Sequence, residues 1–305
     1  MYMSKVLITG AGGFVGKHLT KELTDNGYEV VTVDRSVKKS SPNSLQIDLN
    51  SAKAVGQIDF SEISAVMHLA GLAAVGPSFD DPMNYISTNV GIECNLFEEA
   101  SKQGHKPKFL IVSTGALYDA TAPLPLDENS RISPSSPYAV SKLGQEQLAL
   151  YYTNRGFECV IARPFNHIGP GQGPGFIVPD IAQQVVECET GSKDEVLVGN
   201  LDAKRDYTDV RDIARAYRLL IEKGVSGEVY NICSGRALSG HEILEGIVGV
   251  VGNSPKIAKN PKLMRPADNP VIYGNNNKLK EATGWQPEID IKQTLTDVVA
   301  DWRSR

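Results

Sequence analysis

The sequence predicts an α/β protein: a doubly wound parallel sheet with helices on both faces and a smaller mixed substrate-binding lobe. Three observations carry this. Short, nearly all-apolar runs recur through the first half, separated by helix-length segments, the pattern of parallel strands buried on both faces. The first run leads directly into a glycine-rich loop, Gly10-Ala11-Gly12-Gly13-Phe14-Val15-Gly16. The texture then changes after Arg163-Pro164, where Gly169-Pro170-Gly171-Gln172-Gly173-Pro174-Gly175 excludes regular structure.

Taken in order, a strand is expected over 6–9, a helix over 13–26, and strands over 29–33, 45–47 and 66–69. A long helix over 83–102 precedes a strand over 109–113, a helix over 137–153 and a strand over 159–162. The crossovers should be right-handed. The segment 169–175 reads as a loop leaving the carboxyl edge of the sheet, where open α/β sheets bind ligands. A helix over 178–190 follows, and 229–233 reads as one more strand of the main sheet. The remainder is mixed and broken by prolines. The expected division is 1–165 with 207–234 as the dinucleotide-binding unit, and 166–206 with 235–305 as the second lobe.

Bulk properties narrow the function. With 305 residues, 41% apolar and 22% charged, the chain is long enough for one large domain with a lobe attached. A net charge of −5 argues against a general nucleic-acid binder. No apolar run reaches membrane-span length, and a strand pattern at 5–9 leaves no room for a secretory leader. Cys94, Cys159, Cys188 and Cys233 are scattered with no CxxC pair, as suits a reducing cytoplasm. The five His residues show no metal-ligand spacing.

Strand, GxxGxxG, helix is the context in which glycines bind a dinucleotide. Gly10 permits the tight turn, Gly13 lets the backbone approach a pyrophosphate, and Gly16 lets the helix pack on the strand. Phe14 and Val15 complete the loop, and the helix N-terminus then faces the phosphates. This is the Rossmann arrangement. Asp34 closes the second strand and can accept from a ribose diol, which favours NAD, whereas Arg35, Lys38 and Lys39 follow directly and could hold the extra phosphate of NADP. Asp48 and Leu49, after the third strand, are placed to contact adenine or to lie on a plain surface.

Tyr138 and Lys142 are four apart on an expected helix and therefore share a face. A phenol beside an ammonium can exchange a proton with a carbonyl oxygen; the ammonium is expected to lower the phenol pKa by about 1–3 units, towards working pH. Thr114, in Ser113-Thr114-Gly115 at the end of the fifth strand, can donate to the same oxygen. With the glycine loop, these three suggest hydride chemistry at a carbinol or ketone.

Together these motifs resemble the extended short-chain dehydrogenase/reductases that act on nucleotide sugars. The likeness runs nearly end to end: the glycine loop, His68-Leu69-Ala70-Gly71, Tyr138-x-x-x-Lys142, Arg163-Pro164-Phe165-Asn166, Arg205-Asp206-Tyr207 and Thr283-Gly284-Trp285. Arg163 through Gln172 and Gly199 through Asp206 are similar to the branch that handles GDP-mannose derivatives. Dehydratases of that branch carry a carboxylate beside the threonine; here the run is Thr114-Gly115-Ala116, so no acid is available to remove water. The C-terminal residues also look like those of the ketoreductases. Asp119 departs from the family's usual glycine.

The resemblance implies that Leu69 and Ala70 line the cofactor, that Asn166 meets the nucleotide phosphates, and that Arg205 and Arg265 neutralise the pyrophosphate. Phe176 and Val178 would line the nucleotide pocket or simply pack beside the Gly-rich loop. Arg163 is expected to be structural, and His68 to be neither acid nor base. The implied reaction is NAD(P)H-dependent reduction of the C4 ketone of a GDP-4-keto-6-deoxy-hexose, giving GDP-D-rhamnose, a precursor of surface polysaccharides. The 6-deoxy-talose epimer stays open, and a homodimer is implied. One rival is a nucleotide-sugar 4-epimerase holding NAD tightly and using the same three residues. The other is a dinucleotide-sensing scaffold, against which the retained Tyr138, Lys142 and Thr114 argue.

Overall fold

The computed structural model describes residues 3–36, 41–263 and 270–305. Its elements are β1 (Met3–Thr9), α1 (Phe14–Asp25), β2 (Tyr28–Asp34), β3 (Ser44–Gln46), α2 (Ala52–Val55), β4 (Ile63–His68), α3 (Val75–Ser78), α4 (Pro82–Lys102), β5 (Lys108–Val112), α5 (Pro137–Thr153) and β6 (Cys159–Pro164). There follow β7 (Asn166–Ile168), α6 (Ile177–Glu189), β8 (Glu195–Val198), β9 (Lys204–Asp209), α7 (Val210–Lys223), β10 (Val229–Ile232), β11 (Ala237–Ser239) and α8 (Gly240–Val251). The chain closes with β12 (Lys256–Lys259), β13 (Val271–Ile272), α9 (Asn277–Thr283) and α10 (Ile291–Arg303).

The main sheet has seven strands in the order β10-β6-β5-β4-β1-β2-β3, all parallel. The inner strand β1 shows why the apolar runs are continuous. Val6, Leu7 and Ile8 have no solvent exposure; Leu7 joins the core under α4 and α5, and Val6 and Ile8 join the one under α1 and α7. Successive side chains point to opposite faces, and here both faces are covered.

Sequence-encoded caps fix the helix starts that matter for the site. Asp81 accepts from the Asn84 amide ahead of α4, and Ser136 from the Ala139 amide ahead of α5; each is followed by a proline at the first helical position, which has no amide to satisfy. Helix α1 instead starts at Gly13 without a side-chain cap.

The second lobe is built on short strands. β9 pairs with β11, β13 and β7, and β8 pairs with β12. Helices α6, α8 and α10 enclose a separate apolar core. Segment 210–223, to which the sequence reading assigned no element, forms α7. Its Asp209 cap and the buried Val210, Ile213, Ala214, Tyr217 and Leu220 follow helical spacing. The expected division gave all of 235–305 to the lobe; Leu279 and Trp285 instead sit in the core beneath α1 and α7, and Trp285 Nε1 donates to the Asp212 carbonyl at 3.0 Å.

Candidate active site

The chain leaves β1 towards β2 on one side and reaches β4 on the other, so the strand order reverses between β1 and β4. A crevice at the carboxyl ends of such strands is the usual ligand position. The glycine loop follows β1, Leu69-Ala70 follows β4, Ser113-Thr114 follows β5, and Asn166 follows β6.

The loop is shaped by close approaches. A Cβ on Gly16 would lie 2.3 Å from the Gly10 carbonyl oxygen, and one on Gly10, where φ is +70°, would lie 2.9 Å from the Ala70 amide nitrogen. Gly12 and Gly13 are exposed, and Phe14 and Val15 half-buried, ahead of the uncapped amides of α1. This cradle of bare backbone at a helix N-terminus fits a pyrophosphate. Asp34 Oδ2 accepts from the Gly12 amide at 3.0 Å, and Oδ1 from the Ser36 amide at 2.8 Å and hydroxyl at 2.6 Å. Burial pushes its pKa up, but the Ser36 and Gly12 donors and Arg35 outweigh that and hold it below its usual value. The carboxylate is thus charged and fixed at the tip of β2. Arg35 beside it is exposed; Lys38 and Lys39 lie outside the described residues. Asp48 is exposed and accepts from the Asn50 amide at 3.1 Å, whereas Leu49 is buried. Leu69 and Ala70 are half-buried, held by the Thr9 carbonyl and hydroxyl at 3.3 and 3.2 Å.

Thr114, just after β5, and Tyr138 and Lys142 on α5 are each buried. The Thr114 hydroxyl accepts from the Ala116 amide at 3.2 Å and lies close enough to the Tyr138 phenol to act on its pKa. Burial pushes the phenol pKa up to about 12, with Thr114 drawing it back. Lys142 Nζ donates to the Val112 carbonyl at 2.8 Å, and burial pulls its pKa down to about 8. This corrects the expectation that Lys142 lowers the phenol: here the ammonium is held by backbone, and desolvation dominates. His68, also buried, pairs through Nδ1 with the Thr9 hydroxyl at 2.8 Å; burial lowers its pKa to about 3, so it is neutral.

Neither residue that follows Thr114 is an acid. A Cβ on Gly115 would lie 3.0 Å from the Phe165 ring, and that ring is packed near the Tyr118 ring, 6.1 Å between centroids. Ala116 presents only an exposed methyl. Arg163 is structural in its contacts: Nε and Nη2 clasp Glu146 at 2.8 and 2.7 Å, both residues being buried. Asp119 turns its carboxylate onto the Thr121 amide at 2.9 Å and Arg131 Nε at 3.2 Å, at the rim of a cavity of about 430 Å³.

On the lobe side, Asn166 is exposed on β7, and Phe176 is 48% exposed at the entry to α6. Val178 is fully buried in the lobe core, away from any surface open to a ligand. Arg205, half-buried on β9, donates through Nη1 to the Lys204 carbonyl at 2.8 Å. Asp206 and Asp209 are engaged elsewhere: Asp206 by Ser234 and the Gly235 and Gly274 amides, Asp209 by Arg211 and Thr294. Arg265 lies outside the described residues.

The sequence reading missed three residues around this site. Asn89 on α4 holds the Ser141 hydroxyl at 2.8 Å and the Leu72 amide at 2.7 Å, fixing α5 against the loop after β4. His18 pairs through Nε2 with the Pro170 carbonyl at 2.9 Å, and His167 stacks on Phe14 with ring centroids 6.2 Å apart. The four-residue spacing of Phe14 and His18 on one face of α1 was the available signal. Among the described residues, no group of three His, Cys, Asp or Glu side chains could hold a metal, and no helix is long and apolar enough to cross a membrane.

Comparison with known proteins agrees with this geometry. A model of the GDP-mannose 4,6 dehydratase family matches residues 7–298. The GDP-6-deoxy-D-mannose reductase of Pseudomonas aeruginosa is 36% identical over 99% of this chain and 98% of its own. A solved structure of RMD from Pseudomonas aeruginosa complexed with NADPH superimposes with a TM-score of 0.89 at 34% identity, over 99% of both chains. The UDP-glucose 4-epimerase of Thermus thermophilus, in complex with NAD, gives 0.84 at 28% identity, over 98% of this chain and 99% of that one. With that family model spanning nearly the whole sequence, the chain belongs to the GDP-mannose 4,6 dehydratase family, among the NAD(P)-dependent nucleotide-sugar enzymes of the extended short-chain dehydrogenase/reductases.

Proposed function

We propose that the chain is an NAD(P)H-dependent 4-ketoreductase that converts GDP-4-keto-6-deoxy-D-mannose into GDP-D-rhamnose. The observation that carries this reading is the pairing of a complete Thr114–Tyr138–Lys142 group with the absence of an acid at Gly115 and Ala116. The full-length likeness to a GDP-6-deoxy-D-mannose reductase supports it, although the family model bears a dehydratase's name.

A nicotinamide dinucleotide seated at its pyrophosphate by the glycine loop would supply the hydride. In this reading Gly10, Gly13, Phe14, Val15 and Gly16 seat the pyrophosphate, Asp34 with Arg35 takes the adenosine ribose, and Asp48, Leu49, Leu69 and Ala70 border the adenine and ribose. Tyr138, protonated across the working range, gives its proton to the C4 oxygen. Thr114 donates to the same oxygen, and Lys142 holds the nicotinamide ribose and stabilises the phenolate as it forms. Asn166, Phe176, Arg205 and Arg265 would meet the GDP moiety. We propose the division into a dinucleotide unit and a sugar lobe given above, with 277–285 attached to the first. A cytoplasmic homodimer acting on a small nucleotide sugar rather than nucleic acid completes the reading; the outward faces of α4 and α5 keep Met83, Ile86, Val140 and Tyr151 exposed, and sedimentation would test the dimer.

The direct test supplies the product of a GDP-mannose 4,6-dehydratase and follows NADH and NADPH oxidation separately. One cofactor should be consumed per ketosugar, with GDP-D-rhamnose formed. The full-length epimerase relatives favour one alternative, a 4-epimerase. Interconversion of a UDP-hexose by the purified protein without added cofactor would replace the reductase reading with that one.

A further inference from the structure

Of the three groups assigned to proton transfer, Tyr138 and Lys142 ride on α5, whereas Thr114 opens the long loop between β5 and α5. That loop folds back on itself: the Ser133 amide donates to the Leu117 carbonyl and the Asp119 amide to the Arg131 carbonyl, both at 2.8 Å. It is also stitched to the lobe's return segment. The Leu126 amide donates to the Tyr273 carbonyl at 3.0 Å, and the Asn275 amide to the Leu126 carbonyl at 2.8 Å. On its inner side Gly115 packs against the Phe165 ring, and a Cβ on Gly274 would lie 2.7 Å from the same ring.

Tyr118 of this loop is buried and stands in the middle of a polar chain. Its hydroxyl donates to Asn231 Oδ1 on β10 at 2.6 Å and accepts from Arg163 Nη1 on β6 at 3.0 Å. Burial pushes the phenol pKa up to about 12, so the hydroxyl keeps its proton. Arg163 is clasped in turn by Glu146, which lies one turn beyond Lys142 on the same face of α5. At the other end Asn231, with no solvent exposure, gives its side-chain amide to the Leu126 carbonyl at 3.1 Å and the Asn275 carbonyl at 3.4 Å. Its backbone amide donates to Glu128 Oε1 at 2.7 Å. A guanidinium only donates and an amide oxygen only accepts. The group between them must therefore accept on one side and donate on the other, which a phenol does and a phenyl ring cannot. One hydroxyl thus joins the helix of Tyr138 and Lys142, the loop of Thr114 and the lobe's return segment.

We propose that Tyr118 is a positioning residue for the reduction: its hydroxyl locks the Thr114 loop against α5, so that the Thr114 hydroxyl and the Tyr138 phenol meet the same substrate oxygen. The inference rests on the roles given to Thr114 and Tyr138 above. The ring of Tyr118 packs in a small apolar cluster with Leu126, Phe165 and Cys233. Those contacts keep the loop folded without the hydroxyl, and the hydroxyl fixes how the loop sits against the helix. The glycine loop follows β1, which β4 separates from β5, so cofactor binding is expected to be independent of this link.

The test measures Tyr118→Phe, Thr114→Val and the double variant on the full-length protein. Tyr118→Phe is expected to lower kcat for the ketosugar by about 10–100-fold, the scale of a displacement of up to about 1 Å, with NADPH affinity, read by nicotinamide fluorescence, unchanged. Because Tyr118 acts through Thr114, adding Tyr118→Phe to Thr114→Val should cost less than about threefold more, the non-additivity of coupled residues. Hydrogen exchange followed by mass spectrometry should show segment 115–133 exchanging faster in Tyr118→Phe, with β1 and the glycine loop as in the wild type. Wild-type kcat in Tyr118→Phe, losses that multiply in the double variant, or a parallel loss of NADPH affinity overturns the proposal. If Tyr118→Phe does not fold, Asn231→Ala, which removes the acceptor of that hydroxyl, is read in the same way; if neither folds, the network is structural and the proposal fails. The exchange arm needs no sugar. Absent turnover in the wild type would overturn the assigned reaction, and the link would then stand or fall on the exchange of 115–133.

Discussion

The two halves of the molecule are held together by different means. The main sheet is sealed by apolar side chains on both faces, and its site residues follow strand ends in chain order. The sugar lobe is woven from separate segments, and buried carboxylates tie it together. Asp206 alone receives the Ser234 hydroxyl and three backbone amides, from Ser234, Gly235 and Gly274. Asp212 binds the Glu288 and Ile289 amides at 3.0 and 2.9 Å, along with Arg215. In the proposed reading, cofactor recognition is set by local backbone shape, and the geometry of the sugar side by polar knots between distant segments. Damage to one half should be readable without damage to the other.

The largest separation is expected at Tyr138. Tyr138→Phe should lower turnover by roughly 10²–10⁴ while NADPH binding stays near wild type, since the hydroxyl is needed only for the proton. In the wild type, Lys142, drawn down to about 8, loses its proton above that pH, whereas Tyr138, pushed up to about 12, keeps its own. Reduction should therefore hold on the acidic side of about pH 8 and decline above it, as steady-state rates across pH would show. Next comes Trp285→Ala, which empties a fully buried site joining the lobe's return segment to the first core. A loss of about 3–5 kcal/mol is expected, seen as one shifted melting transition; two separated transitions would show that the halves unfold independently. Asp206→Asn weakens the acceptor shared by those donors, at a cost of about 1–3 kcal/mol. It should raise KM for the nucleotide sugar and leave NADPH affinity unchanged, and lost cofactor affinity would break the contrast between the halves. The smallest effect is at Asp34: Asp34→Ala should reduce NADH affinity about tenfold, the worth of roughly one charge-assisted hydrogen bond, and NADPH affinity less.

How far the sequence could be read follows the same divide. Strands such as β1 and β6 announce themselves because burial on both faces demands unbroken apolar runs, and α5 is marked by Ser136 and Pro137 at its start. The strands at 166–168, 237–239 and 271–272 are too short for periodicity; all three pair with β9, and Asp206 ties in the segments next to the last two, through partners 28 to 68 residues away. The Tyr138–Lys142 spacing and the bare Gly115-Ala116 were legible as chemistry. That Lys142 is held by the Val112 carbonyl rather than turned on Tyr138 was not, because a helix spacing says nothing of what the adjoining strand offers. Val178 shows the same limit: its neighbourhood in sequence suggests a pocket wall, and its three-dimensional neighbours make it core.

The N-terminal end of α1 touches both halves. Its Phe14 lies in the cofactor loop and stacks on His167, and its His18 holds the Pro170 carbonyl of the loop that leads to the sugar lobe. In the proposed reading, this end of α1 is a shared wall between the cofactor and sugar sites. Any displacement of that end by one ligand alters the affinity for the other, and thermodynamic linkage makes the factor the same in both directions. Ligand cooperativity in this enzyme then has a physical address, which varying His18 while titrating each ligand in the presence of the other would measure directly.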